Sequence, residues 1–228
     1  MDLLNMKTFE EIGTCPGRVC APLARELTWV DAVNNFPAPR DCLAAFLVSS
    51  AAEVLAGVKP ANLIRILKRE LPCGRSIYRL WQRYGQELLE QSKLEALVLR
   101  EEEDALLLLF YRADILERRL AGRTMQAFLM RRGYPQPLTL TSALSHLQGC
   151  FEVAASPDEV GMFLGYPLKD VHGFIAQRPN FWAGGRCLWR IYGPPQRSLR
   201  LYQRYFSERQ ALTERLVSGT APTQLLAA

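Results

Sequence analysis

The sequence predicts an α/β or α+β protein: a small mixed sheet of about four strands, one β-hairpin among them, packed with helices. Three observations carry this expectation. Apolar runs of strand length at 63–67, 96–99, 105–111 and 187–192 are separated by stretches of helical periodicity. Two of those runs flank Arg100-Glu101-Glu102-Glu103-Asp104, a spacing that suits a tight hairpin and therefore an antiparallel or mixed sheet. Hydrophobic residues make up 49% of the 228 positions, ample for a packed core, while 22% charged residues with 15 Gly and 14 Pro exclude collagen-like, coiled-coil and low-complexity classes.

Taken in order, residues 1–40 are broken by Cys15-Pro16-Gly17 and Pro37-Ala38-Pro39 and are expected to form an N-terminal extension. Asp41 is placed to cap a core helix over 42–56, which Gly57 ends in the left-handed conformation. A first strand follows at 63–67. Ile77, Leu80, Trp81, Tyr84 and Leu88 then recur on one helical face, with Arg75, Arg79 and Arg83 on the other. The hairpin comes next, its acidic tip read as a solvated loop. A helix runs from Leu116 through Phe128 to the stop at Gly133, and another covers 142–148.

Ser156-Pro157-Asp158-Glu159 has the form of a helix start, with Ser as cap, Pro in the first turn and Glu closing a capping box. It opens a helical hairpin before the last strand at 187–192. A final helix spans 195–217. This gives an extension at 1–40, a single α/β domain at 41–217 and a flexible tail at 218–228.

The N-terminus lacks the basic-then-apolar layout of a secretory signal, and the most apolar stretch, 42–58, includes Glu53 and falls short of the ~20 apolar residues that cross a bilayer. The expected location is cytoplasmic, without membrane contact, and the six cysteines are expected to be reduced thiols. Lys plus Arg at 28 against Asp plus Glu at 23 leaves +5, which permits an anionic partner without requiring one.

The segment Asp158-Glu159-Val160-Gly161-Met162-Phe163-Leu164-Gly165-Tyr166-Pro167-Leu168-Lys169-Asp170-Val171-His172-Gly173-Phe174-Ile175 closely resembles the signature of a bacterial family known as domain of unknown function 3793. Other blocks resemble it in the same order: 55–63, Phe110-Tyr111-Arg112, Phe128-Leu129 with Gly133-Tyr134, and Trp189-Arg190-Ile191-Tyr192. The resemblance implies a cytoplasmic mixed α/β domain and brings no settled activity. Its signature positions here are Asp158, Glu159, Gly161, Gly165, Tyr166, Pro167 and Asp170. Members often carry Cys-Ala-Pro-Thr before the Leu-Ala-Gly block and His before the signature Glu. Ala51-Ala52-Glu53-Val54 and Asp158 stand in those places here, so a cysteine-histidine chemistry would lack its reactive groups.

Candidate chemistry is sparse. Arg65 and Arg190 interrupt apolar strands, Arg112 follows one, and Lys59 precedes one; together they are read as an anion pocket for phosphate or carboxylate. The competing reading puts Arg65 and Arg190 on a solvent-facing sheet surface, and strand alternation does not separate the two. The leading expectation is a binding or regulatory module for an anionic small molecule or a protein partner.

The runner-up is a helix-turn-helix nucleic-acid binder. Gly161, Gly165 and Val171 have the spacing of that motif, Lys169 and His172 would offer contacts, and Arg197, Arg200 and Arg204 extend a basic region. Those arginines equally suit the solvated side of a docked helix, which is the favoured reading. An enzyme is the third possibility, with the catalytic residues unknown: the sequence contains no phosphate loop, nucleophile elbow or metalloprotease motif. No metal and no cofactor is predicted.

Overall fold

Helices cover both faces of one small sheet. The computed structural model describes residues 27–32, 35–71, 73–154, 156–179 and 188–228. The chain runs through α1 (Trp29–Ala32), α2 (Pro39–Ser50), α3 (Ala52–Leu55), β1 (Ala61–Leu67), α4 (Ile77–Glu90), β2 (Glu95–Glu101) and β3 (Ala105–Tyr111). It continues through α5 (Ala113–Leu120), α6 (Arg123–Met130), α7 (Leu140–Val153), α8 (Val160–Phe163), α9 (Leu168–Ile175), α10 (Gln196–Val217) and α11 (Pro222–Ala227). The class is mixed α+β.

The sheet is open and antiparallel, in the order β1-β3-β2. Its central strand is buried on both faces, which is why Ala105–Tyr111 reads as an unbroken apolar run instead of alternating. Leu106, Leu108 and Phe110 pack with α2, α4 and the chain's C-terminal residues Leu216, Leu225 and Leu226. Leu107, Leu109 and Tyr111 point the other way, into a core built from α5 to α9. A smaller cluster of Trp189, Ile191 and Tyr205 sits beside Val58 and Tyr166.

Several expected elements are present with altered bounds. Ser76 caps α4, accepting from Arg79 N at 3.4 Å. The core helix at 42–56 is two helices; it starts at Pro39 with Ala38 as its uncapped N-cap, so Asp41 lies inside the first turn. The helix expected from Leu116 to Gly133 is divided into α5 and α6, with Gly122 as the N-cap of the second. The hairpin's acids are not simply hydrated: Lys68 pairs with Glu101 at 2.8 Å, and Arg65 and Arg100 both pair with Glu102, at 2.8 and 2.5 Å. These contacts hold Glu101 and Glu102 below the ordinary carboxylate range.

Four expectations differ more deeply. Leu188 to Tyr192 form no strand, so the described sheet has three strands and not four; Cys187 lies outside the described residues. The apolar character of that segment comes from burial in the Trp189 cluster instead. Ser156-Pro157-Asp158-Glu159 makes a turn, with Val160 N donating to Pro157 O, and α8 begins later without a side-chain cap. Residues 218–228, expected as a tail, contain α11, whose Leu225 and Leu226 are core residues. Within the expected N-terminal extension, Ala32 and Phe36 are buried and Trp29 meets Phe46 edge-on at 5.6 Å.

Candidate functional site

Lys59 follows the left-handed turn at Gly57 (φ 72°) and leads into the first strand, and Pro60 fixes the chain direction between them. In this turn Val58 N and Lys59 N both donate to Glu53 O, tying the strand's start to α3. The result is a lysine buried to 3% exposure. Its ammonium donates to Asn62 Oδ1 and lies 5.7 Å from the ring centre of Tyr166 and 5.5 Å from that of Tyr205. Asn62 in turn donates to Ser50 O at 2.9 Å and to Glu53 Oε2 at 3.0 Å, while the other Glu53 oxygen accepts from Arg209 at 2.5 Å.

The consequence is an uneven distribution of charge partners. Glu53 is fully buried and has Arg209. Lys59 is nearly as buried and, among the described residues, contacts no carboxylate directly. Burial pulls its ammonium down to about 8, opposed by the charge of Glu53 and reinforced by that of Arg209.

A cavity of about 590 Å³ opens beside this network along the free edge of β1. Lys59, Arg65, Arg190 and Arg209 line it, against Asp158 and Asp170. Leu63, Leu164, Phe174, Leu188 and Trp189 give it apolar walls. Pro60 O accepts from Arg112 N and Lys68 N donates to Asp104 O, so even-numbered main-chain groups face β3. By the two-residue period, the N–H and C=O of Leu63 and Arg65 therefore face the open edge, the side of the cavity. Ser156 Oγ, on the cavity lining, is buried and lacks a hydrogen-bond partner among the described residues.

The pocket residues expected from sequence divide accordingly. Lys59, Arg65 and Arg190 share the cavity. Arg65 is engaged with Glu102 and Asp104, whereas Arg190 is exposed and has no acidic partner among the described residues. Arg112 does not line it: its guanidinium is bidentate to Asp114 at 3.0 and 2.9 Å and also meets Leu55 O. Glu53, Asn62 and Arg209 were not legible as site residues. The one available signal was Glu53 itself, a carboxylate inside the most apolar stretch of the chain.

The signature residues build the wall. Asp170, 2% exposed, accepts from Lys169 Nζ (2.6 Å), Trp189 Nε1 (2.8 Å), Tyr192 N (2.8 Å) and Ser198 Oγ (2.6 Å). One carboxylate thus joins α9, the 188–192 segment and the start of α10. Glu159 accepts from Tyr134 at 3.4 Å and faces Arg132 at 3.8 Å, anchoring the loop after α6.

Gly161 brings α8 against α9, since a Cβ there would lie 3.0 Å from Val171 and 3.1 Å from Tyr166. Gly165 makes the turn at φ 85°, with Pro60 and the Tyr205 hydroxyl too close for a side chain. Pro167 then serves as the N-cap of α9, and Tyr166 stacks on Trp189 at 4.6 Å.

The helical hairpin therefore exists, but its second helix spends its polar groups internally. Lys169 is bonded to Asp170 and to Tyr192 O, Asp170 is saturated, and exposed His172 rests edge-on against Phe128. Arg197, Arg200 and Arg204 lie exposed on α10. Among the described residues no group of His, Cys, Asp and Glu has the arrangement of a metal site, and no helix is long and apolar enough to cross a membrane.

Over residues 47–226 the chain matches the model of the family described as Protein of unknown function (DUF3793). No curated protein and no solved structure matches it.

Proposed function

The chain belongs to the DUF3793 family, and we propose that it is a binding module whose cavity at the β1 edge holds a small molecule with an anionic group and an apolar body. The observation that carries this reading is Lys59: a buried ammonium lining the cavity, with three N–H donors and one oxygen partner among the described residues. An anion reaching it would supply the missing acceptors, and a charge-assisted hydrogen bond in such surroundings is stronger than its equivalent in water. Arg190 and the outward main-chain N–H groups of Leu63 and Arg65 offer further donors. The apolar walls suit an acyl or aromatic body better than a bare inorganic ion.

A thermal-shift screen with nucleotides, phosphometabolites and aliphatic or aromatic carboxylates tests this. A ligand present at a hundred times its dissociation constant adds ~2.7 kcal/mol of stability. The expected hit is an amphiphilic anion whose effect disappears in Lys59→Met and survives in Arg112→Ala. A screen in which no anion shifts the wild type removes the proposal.

A second reading has its own observation. Arg197, Arg200 and Arg204 project from one exposed side of α10 without acidic partners among the described residues, as a nucleic-acid surface requires. Binding to mixed oligonucleotides that falls steeply with salt and weakens in Arg200→Ala supports it; salt-independent or absent binding excludes it.

A further inference from the structure

Lys59 is placed to do more than attract charge. A buried lysine that serves only as a cation is normally matched by a carboxylate, and here the neighbouring carboxylate is committed elsewhere. Glu53 gives one oxygen to Arg209 and the other to Asn62. What touches the Lys59 nitrogen is the neutral amide oxygen of Asn62, with the rings of Tyr166 and Tyr205 beyond.

This environment also accommodates the uncharged amine. Asn62 Oδ1 accepts a hydrogen bond from either form, and desolvation favours the neutral one against the attraction of the two ring faces for the cation. The amine also lines a cavity of about 590 Å³, so a ligand has room to meet it. Desolvation is what activates a lysine amine as a nucleophile, and here it outweighs the opposing charge of Glu53, with that of Arg209 adding to it.

We propose that Lys59 is the reactive amine of this cavity and forms an imine with an aldehyde or ketone that also carries an anionic group. The nitrogen lone pair attacks the carbonyl carbon, the C=O π pair moves to oxygen, and one N–H proton follows it to give a carbinolamine. The hydroxyl then leaves with the second N–H proton as water while the nitrogen lone pair closes the C=N bond. Amine plus carbonyl gives imine plus water, with no oxidant or reductant. The anionic group falls to Arg190, the exposed cavity arginine without an acidic partner among the described residues. The carbonyl compound's apolar part packs against Leu164, Phe174 and Trp189.

The requirement for an anionic group rests on the binding reading above; imine formation does not, and the test separates them. The protein is incubated with 4-carboxybenzaldehyde or neutral benzaldehyde, trapped with cyanoborohydride, and mapped by mass spectrometry over Lys7, Lys59, Lys68, Lys93 and Lys169. The expected result is saturable labelling by the carboxylated probe at Lys59, roughly tenfold above any other lysine, lost in Lys59→Arg. Because the site is read in the wild-type protein, the result stands even if that variant folds poorly.

Labelling that follows exposure, strongest at Lys68 or Lys93, overturns the proposal. Thermal stabilisation by 4-carboxybenzaldehyde without an adduct at Lys59 sinks imine formation and leaves anion binding intact. Equal labelling of Lys59 by both aldehydes does the reverse. Neither stabilisation nor labelling refutes both.

Discussion

Asp170 and Lys59 are both buried ions beside one cavity, and the chain treats them in opposite ways. Asp170 receives hydrogen bonds from α9, from the 188–192 segment and from α10. Among the described residues Lys59 gives one hydrogen bond, to a neutral amide. A buried charge costs stability unless its partners replace the lost water. The saturated carboxylate is therefore a structural junction, whereas the undersupplied amine is where the proposed ligand would contribute.

The largest effect that would break this contrast lies at the junction. Asp170→Ala strands the Trp189, Tyr192 and Ser198 donors and should cost about 3–5 kcal/mol in urea unfolding, a large share of a typical domain's stability. A loss under about 1 kcal/mol would show that Asp170 does not hold these segments together. Next comes Gly173→Ala. Its Cβ would fall 2.3 Å from Tyr192 Cγ, and displacing that ring should cost about 1–3 kcal/mol, read as a lowered Tm.

Lys59→Met is expected to change stability by less than about 1 kcal/mol in either direction, because losing a hydrogen bond is offset by removing a poorly paired charge. The same change should abolish ligand stabilisation. A substantial destabilisation would place Lys59 with Asp170 as a structural ion.

The comparison also has a pH signature. The Lys59 amine is at about 8 in the folded protein and near ~10.4 in an unfolded chain, so between these values the unfolded state binds more protons and stability rises with pH. The penalty is present in full below about 8 and is relieved above it. The charges of Glu53 and Arg209 act on the amine, the rings of Tyr166 and Tyr205 flank it, and Asp158 and Asp170 line the same cavity. Tyr205, raised to about 12, acts in the opposite sense only near ~10 and above. Denaturation between pH 7 and 9.5 should show wild type gaining stability relative to Lys59→Met, a difference from which the opposing contribution of the raised Cys42 and Cys150 thiols cancels. Anion binding should weaken over the same range as the cation is lost.

The smallest effect is expected at Arg190→Ala, with unchanged Tm and several-fold weaker anion binding, since the side chain is exposed and unpaired among the described residues. Full retention of affinity would remove Arg190 from the site.

Much of the framework was legible because it depends on local chemistry. The tight acidic linker announced the hairpin, the arginine-faced periodicity at 75–88 announced α4, and Gly57, Gly133 and Gly165 marked chain reversals that all have positive φ. The strand expected at 187–192 shows where such reading fails. Trp189, Ile191 and Tyr192 are buried as a strand's residues would be, but Asp170 takes the Tyr192 N–H and the Trp189 indole N–H, and no ladder forms. The capping box at Ser156 failed similarly: the expected cap oxygen has no partner among the described residues, and the turn closes through Pro157 O instead.

By itself the sequence determined the hairpin, the amphipathic α4 and the reversals at Gly57, Gly133 and Gly165, because propensity, turn chemistry and periodicity act over a few residues. It also placed Lys59, Arg65 and Arg190 among the groups able to meet an anion. Only the tertiary structure decided which of them is buried, which is already paired, and that Arg112 belongs elsewhere. The reason is that an ion's environment is set by segments remote in the chain: Glu53 and Arg209 meet across 156 positions, and that pairing is what leaves Lys59 without a carboxylate of its own.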